Sequence, residues 1–165
     1  MAHDNSAASR LEDWIVTTLE AAATADGITV DVRPFAGSIE RVAQRQVAEV
    51  IRYDHVTIQV FCAGEDDRQD AEATLLRNLA FPIIIAVKND ASDGAAARRG
   101  DGTKVGINRL RELVIEALHD VHPGTQGSYK LEPAKVSFFR SGWEEKGLWI
   151  VVGEVVIPVV PPHPT

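Results

Sequence analysis

The residues of this chain that could do chemistry fall into a few short stretches. His119, Asp120 and His122 lie near the end of a helical pattern and could share a metal ion. Zinc needs three or four protein ligands fixed together, and no further ligand lies nearby in the sequence. A histidine near the C-terminus of a helix is also favourable without any metal. We therefore expect no metal site here.

Two further stretches resemble ligand-binding loops without their defining residues. Glu65, Asp66, Asp67 and Asp70 form an acidic run, but the Asp-x-Asp-x-Asp-Gly spacing of a calcium loop is absent. The segment GDGTKVG, residues 100–106, is rich in glycine but lacks the Gly-Lys-Ser/Thr core of a phosphate loop. Both stretches are typical of solvated turns and loops, so we expect no cofactor.

Candidate nucleophiles and acid–base pairs are equally poor. Cys62 alternates with apolar residues and is expected to be a small buried core residue. His55 lies seven residues away along the same predicted strand, too far to activate it. Glu144 and Glu145 are adjacent, so they point apart on an extended backbone. The chain has no Gly-x-Ser-x-Gly motif, and we expect it not to be an enzyme.

Composition restricts the classes of partner. The chain has 165 residues and a formal net charge of −7, which suggests one domain and a poor nucleic-acid binder, since binding phosphates requires lysine and arginine. Its single cysteine fits a reducing compartment. The N-terminus has no basic region followed by an apolar run, so no signal peptide is expected. The longest apolar stretch, residues 148–160, is too short and too interrupted to span a membrane.

Three stretches show helical periodicity. Apolar residues at i, i+3, i+4 and i+7 predict helices that begin near Ser9, cover residues 38–53 and cover residues 107–121. Ser9 and Glu12 have the spacing of a capping box, in which each side chain satisfies a free backbone N–H. Gly27 is expected to end the first helix.

Five stretches have the pattern of strands: residues 28–35, 55–62, the apolar part of 74–90, 128–140 and 148–160. Pro82 cannot donate to a ladder, so we expect the third strand to be bulged or to lie at an edge. The segment SGWEEKG, residues 141–147, predicts the loop of a hairpin between the last two strands. Residues 91–104 have no apolar period and predict a mobile loop, and residues 161–165 a flexible tail.

Short links between neighbouring strands favour an α+β fold: a single domain with an antiparallel or mixed sheet of about five strands and flanking helices. The last strand is unusual, because it is apolar on both faces, whereas a strand with one face in water should alternate. One face carries Trp149, Val151 and Val155, and we expect it to lie against a helix or a neighbouring subunit. The alternative is that helices of one domain cover both faces.

The layout resembles the phage tail terminator proteins of the Mu-like prophage family. The resemblance rests on the order of LEDWIVTTLEAA, HVTIQVFCAG, FPIIIAVKND, INRLRELVIEAL and the closing GLWIVVGEVVIPV, and it covers most of the chain. Residues 38–53 and 91–104 fit the pattern least.

The resemblance implies a structural virion protein of the tail or neck, assembled in the host cytoplasm. Such a protein forms a ring, expected to be a hexamer, that caps the tail tube, docks the neck or head connector, and meets the sheath if the tail contracts. The expected contacts with a neighbouring subunit or the tube are Trp149, Val151, Val155, Arg98, Arg99 and Lys104.

DNA must pass through such a ring without sticking, so acidic residues are expected to line the lumen and tight nucleic-acid binding is not expected. Glu65, Asp66, Asp67 and Asp70 are the lumen candidates. Two other interpretations stay open: a small-ligand-binding or enzymatic α+β domain with a pocket between sheet and helix, and a bacterial adaptor unrelated to phage.

Overall fold

The computed structural model of the chain describes residues 7–35, 57–61, 78–88, 98–100, 105–124, 130–138, 143–145 and 148–158. The elements with described bounds are α1 (Ala7–Ala25), β1 (Asp31–Phe35), β2 (Thr57–Phe61), β3 (Asn78–Lys88), α2 (Ile107–Leu118), β4 (Lys135–Phe138), β5 (Trp143–Glu145) and β6 (Leu148–Pro158). The helix predicted over residues 38–53 and the tail 161–165 lie outside the described residues.

The strands form one mixed sheet in the order β1-β2-β3-β6-β4, with β5 also paired to β6. β1 and β2 are parallel, and the other pairs are antiparallel. The α+β class is therefore confirmed. The prediction of about five strands does not match, because the strand beyond β6 is split: β4 pairs with β6 as far as Gly153, and β5 pairs with it from Ile150.

The last hairpin differs from its predicted form. Residues 141–147 were expected to be a loop, but Trp143–Glu145 are a strand, and Glu145 pairs directly with Leu148. Only residues 146–147 lie between the two strands, which is the length of a tight two-residue hairpin. The polar character of this segment reflects its place in a short outer strand rather than a long loop.

The expectation for Pro82 is also wrong. β3 lies in the interior of the sheet between β2 and β6, not at an edge. Pro82 is tolerated because the pairing of β2 with β3 ends one residue earlier, at Val60 with Ile83. A proline without an N–H donor therefore lies just beyond the last described pair with β2.

The core of the described residues lies between one face of the sheet and the helices α1 and α2. The apolar stripe of α2 that the periodicity predicts is buried at Ile107, Leu110, Leu113, Val114 and Leu118. It meets the odd-numbered residues of β3 and β6 together with α1 residues four apart in sequence: Leu79, Phe81, Ile83, Ile85, Val87, Val151, Val155, Ile157, Leu11, Ile15 and Leu19. Burying each such side chain contributes about 1.5–3 kcal/mol of transfer free energy.

The predicted C-terminal end of α1 is confirmed, whereas its predicted N-terminal cap is wrong. At the C-terminal end, Gly27 has φ 67°, its N–H donates to the Thr24 carbonyl, and the Ile28 N–H donates to the Ala23 carbonyl. These two bonds are the Schellman motif, so the predicted stop is confirmed. At the other end, Ser9 lies inside the helix, which already includes Ala7, so the capping box is wrong. Neither α1 nor α2, within the described residues, has the length and apolarity to cross a bilayer.

Gly153 should be intolerant of a side chain. A Cβ at this position would lie 2.7 Å from a ring carbon of Phe138 and 2.8 Å from the Ser137 carbonyl oxygen. We expect Gly153→Ala to lower the free energy of unfolding by about 1–3 kcal/mol, because the ring must shift. Urea unfolding measures this loss. In the double variant with Phe138→Leu, the loss due to Gly153→Ala should be smaller; an equal loss in both backgrounds would show that the ring does not cover Gly153.

Candidate functional site

The two faces of the sheet are covered to different extents. On the face that meets α1 and α2, the side chains of β3 and β6 are buried throughout the described core. On the opposite face, Ile84, Ala86 and Ile150 are buried, whereas the residues toward the other end of the same strands are only half-buried. We call these half-buried residues the second-face patch: Ala80, Pro82, Val152, Glu154, Val156 and Pro158.

The expected interface residues separate into two groups. Val151 and Val155 are fully buried beneath the helices of the same chain, so they cannot also contact a neighbouring subunit, and their assignment to an interface is wrong. Their strand was correctly identified as apolar on both faces, but periodicity alone does not tell which face meets the helices. Trp149 lies on that same core face and is half-buried.

Of the remaining candidate interface and lumen residues, the structure describes only two. Arg98 and Arg99 are exposed. Lys104 and the four lumen candidates, Glu65, Asp66, Asp67 and Asp70, lie outside the described residues, as do Cys62 and His55.

An arginine–aromatic cluster, formed by Arg98, Trp149, Arg111 and Phe138, lies along β6 on the core face. The guanidinium carbon of Arg98 is 5.6 Å from the centroid of the Trp149 ring, and that of Arg111 is 5.0 Å from the Phe138 ring. Phe138 pairs with Gly153, which lies four residues from Trp149 and on the same face. The two stacks are therefore separated by roughly 13 Å along the strand.

The backbone beside Gly106 holds Arg98 in this place. Arg98 and Arg99 have helical backbone, and a Cβ on Gly106 would collide with the backbone of Arg98, Arg99 and Gly100. Gly106 immediately precedes α2, so only a glycine lets these backbones approach so closely. This stretch of the predicted loop 91–104 is therefore packed against the start of α2, while mobility of the remainder stays a prediction.

The cluster carries unpaired donors. In the part of the chain that the structure describes, Arg98, Arg99 and Arg111 take part in no ion pair. The Trp149 Nε1 and Arg111 Nε atoms are buried and have no hydrogen-bond partner. Because a buried unpaired donor costs about 1–3 kcal/mol, such atoms call for a specific explanation.

The sequence patterns pointed to Arg98 and Trp149 but not to Arg111 and Phe138. The stack of Arg111 on Phe138 joins α2 to β4, two elements whose relative placement the sequence pattern does not give. The feature of the sequence that could have indicated this contact is Phe138, an aromatic residue that lies opposite Gly153 of β6.

The histidines considered as metal ligands have structural roles. His119 Nδ1 accepts the Val136 N–H at 3.0 Å, which attaches the end of α2 to β4. His122 Nδ1 accepts the Gly124 N–H at 2.9 Å, and its Nε2 lies 2.8 Å from the Leu131 carbonyl oxygen, to which it donates in this tautomer. No group of three metal-binding side chains occurs within the described ranges.

Asp120, between these histidines, has an unusual backbone and a perturbed carboxyl group. Its φ is 61°, a left-handed conformation that aspartate and asparagine tolerate better than most residues. The Lys135 ammonium donates a hydrogen bond to the Asp120 carboxylate, and this bond is the largest cause of a lowered pKa of Asp120. The charges of Lys135 and His119 lower the pKa further, whereas desolvation opposes them. The pair links the helix end to the first residue of β4.

Substitutions at Trp149 should separate its ring from its N–H. We expect Trp149→Ala to lower the free energy of unfolding by about 2–4 kcal/mol, since it removes a large ring that packs against the core. Trp149→Phe keeps a ring for Arg98 and deletes the buried unpaired donor, so its loss should be much smaller. Urea unfolding of both variants measures the difference; equal losses would show that a ring at this position adds nothing to the packing. Arg98→Ala, the control for the stack, should cost about 0.5–1 kcal/mol.

Asp120 should contribute to stability in acid. Because its pKa in the folded chain is lowered from 3.8, its contribution is present above that value and is lost as the pH falls through the folded pKa. Asp120→Asn keeps a residue that tolerates the left-handed backbone and removes the titration. We expect the urea midpoint of this variant to fall less between pH 5 and about pH 2 than that of the native chain. The urea midpoint of Lys135→Gln should likewise fall less over this pH range than that of the native chain. If the midpoints of both variants fell as much as that of the native chain, the pairing of Asp120 with Lys135 would be contradicted.

Comparisons with known proteins add no family to these observations. No protein-family model matches the chain, and no curated protein and no solved structure matches it either. The residues and contacts described above are therefore the support for a functional proposal.

Proposed function

We propose that this chain is a structural virion protein, a tail terminator that caps the phage tail tube as a ring and joins it to the neck or head connector. The order α1, β2, β3, α2 and a closing hairpin, whose second strand carries Trp149, agrees with the element order on which the resemblance depends. The observation that carries the proposal is the second-face patch.

The second-face patch has the character of a contact surface. Five of its six residues are apolar, and the sixth, Glu154, is half-buried among them. Neither α1 nor α2 covers this face, because both pack on the other one. A contiguous apolar area open to solvent is a liability in a monomer and is typical of an interaction site. Association of copies through it would remove apolar surface from water.

The proposal extends to partners and location. The ring is a homo-oligomer, expected to be a hexamer, and it contacts the tail tube protein, the neck or connector proteins and, in a contractile tail, the sheath. It has no catalytic role and binds no nucleic acid tightly, which its net charge of −7 favours. Its location is the virion tail or neck, after assembly in the host cytoplasm. Flanking genes for tail tube, sheath or tape measure are expected beside its own gene.

Self-association is the first consequence to test. We expect light scattering after size exclusion to give a mass several times 17.9 kDa at tens of micromolar, and electron microscopy to show rings. Val156→Asp should shift the chain toward the monomer, because it places a charge in the apolar patch. Thr29→Asp, at an exposed position outside the patch, is the matched control. A monomeric native chain would contradict a preformed ring, and an unaffected Val156→Asp assembly would exclude this patch as the contact.

A further inference from the structure

We propose that adjacent copies of this chain bind head to tail through a second, charged contact: the arginines of the arginine–aromatic cluster of one copy receive the carboxylates of Asp13 and Glu20 on α1 of the next. This inference rests on the proposed self-assembly and specifies one of its contacts. It concerns a surface on the opposite side of the sheet from the second-face patch.

The basic side of the contact is pre-arranged for carboxylates. Arg98 and Arg111 lie over aromatic rings, and these contacts restrict the positions of their guanidinium groups. A guanidinium placed over a ring can still donate from its terminal Nη groups to a carboxylate, although the Nε of Arg111 is buried. Arg99 adds an exposed positive charge beside Arg98. Less side-chain freedom is lost on binding when the donors are already held.

The lack of internal partners distinguishes these arginines from the other cations near α2. Arg109 pairs with Asp26, Glu112 and Glu116, and Lys135 pairs with Asp120. Arg98, Arg99 and Arg111 have no carboxylate among the described residues, although the chain as a whole has 24 acidic residues against 17 basic ones. In an acidic protein, three arginines that pair with no carboxylate of the described residues favour an acidic surface of another copy.

The acidic side of the contact is the outer face of α1. Asp13, Thr17, Glu20 and Thr24 follow one another at helical spacing and are all exposed. Within the described ranges, neither Asp13 nor Glu20 takes part in an ion pair. The two carboxylates, seven residues apart, are separated by about 10 Å along the helix. This spacing is comparable with the roughly 13 Å between the two arginine stacks.

The two surfaces lie on different parts of the molecule, as a head-to-tail contact requires. Both helices lie on the same face of the sheet, but α1 packs beside β1 and β2 toward one edge, whereas α2 packs beside β3, β6 and β4 toward the other. One copy can therefore offer its cluster to one neighbour and its α1 face to another. A contact between two different surfaces produces a closed ring when the rotation between copies closes.

The test uses two charge-reversed chains. One carries Arg98→Glu, Arg99→Glu and Arg111→Glu, so its cluster is acidic; the other carries Asp13→Lys and Glu20→Lys, so its α1 face is basic. Each alone should associate at least tenfold more weakly than the native chain, because like charges then meet. Mixed in equal amounts, the two variants should recover the mass of the native assembly, because the cluster of each copy can again meet an α1 surface of opposite charge. Circular dichroism and urea unfolding check that each variant folds.

The outcomes separate the inference from the proposed function. Loss of mass in each variant and recovery in the mixture support the charged contact, as does a native association that weakens with added salt. A native chain that forms rings while both folded variants assemble unchanged would overturn the contact and leave the proposed function standing. Weakening without recovery in the mixture would overturn the pairing of these two surfaces. A native chain that stays monomeric at every salt concentration would overturn both.

Discussion

The pairing of β3 with β6 is the contact on which the rest of the structure depends. All eleven residues of Asn78–Lys88 pair with Leu148–Pro158, although the two strands lie far apart in the chain. Every other strand attaches to this pair, directly or through β2. Since side chains alternate, a shift of one residue in this register would turn the core face of one strand outward. The register therefore decides which apolar side chains of β6 enter the core and which lie on the opposite face.

Several ion pairs lie around α2 and its C-terminal end. Around α2, the carboxylates of Glu116 and Asp26 raise the pKa of Arg109, and the largest cause is the hydrogen bond that Arg109 donates to Glu116. Asp120 and Lys135 link the end of the helix to β4. Such exposed pairs each stabilise a fold only slightly. Arg109 and Lys135 are paired in this way, whereas Arg98, Arg99 and Arg111 have no ion-pair partner among the described residues.

Sequence patterns predicted the elements more successfully than their arrangement. Helical and alternating periods depend on residues close in the chain, so they identified α2, β3 and β6 and the stop at Gly27. The place of β3 within the sheet was mispredicted, because whether Pro82 is tolerated depends on where its neighbour ends, which is a long-range property. For the same reason Val151 was assigned to an interface: a strand with two apolar faces gives no local signal of which face the helices choose. The stack of Arg111 on Phe138 depends on helix placement and could not be predicted either.

Both faces of β6 are apolar, so each must be covered by other residues. The register of β6 with β3 shows which face the helices of the same chain cover. Val151, Val155 and Ile157 of β6 are buried on the face against which α2 packs. On the other face, Ile150 is buried, but the side chains from Val152 to Pro158 remain partly open. An apolar face open at one end lies opposite arginines that have no ion-pair partner among the described residues. The molecule therefore has two surfaces of different chemistry. A subunit that contacts its neighbours through both would gain area from the apolar surface and orientation from the charged one, since charge complementarity fixes register more than it adds affinity.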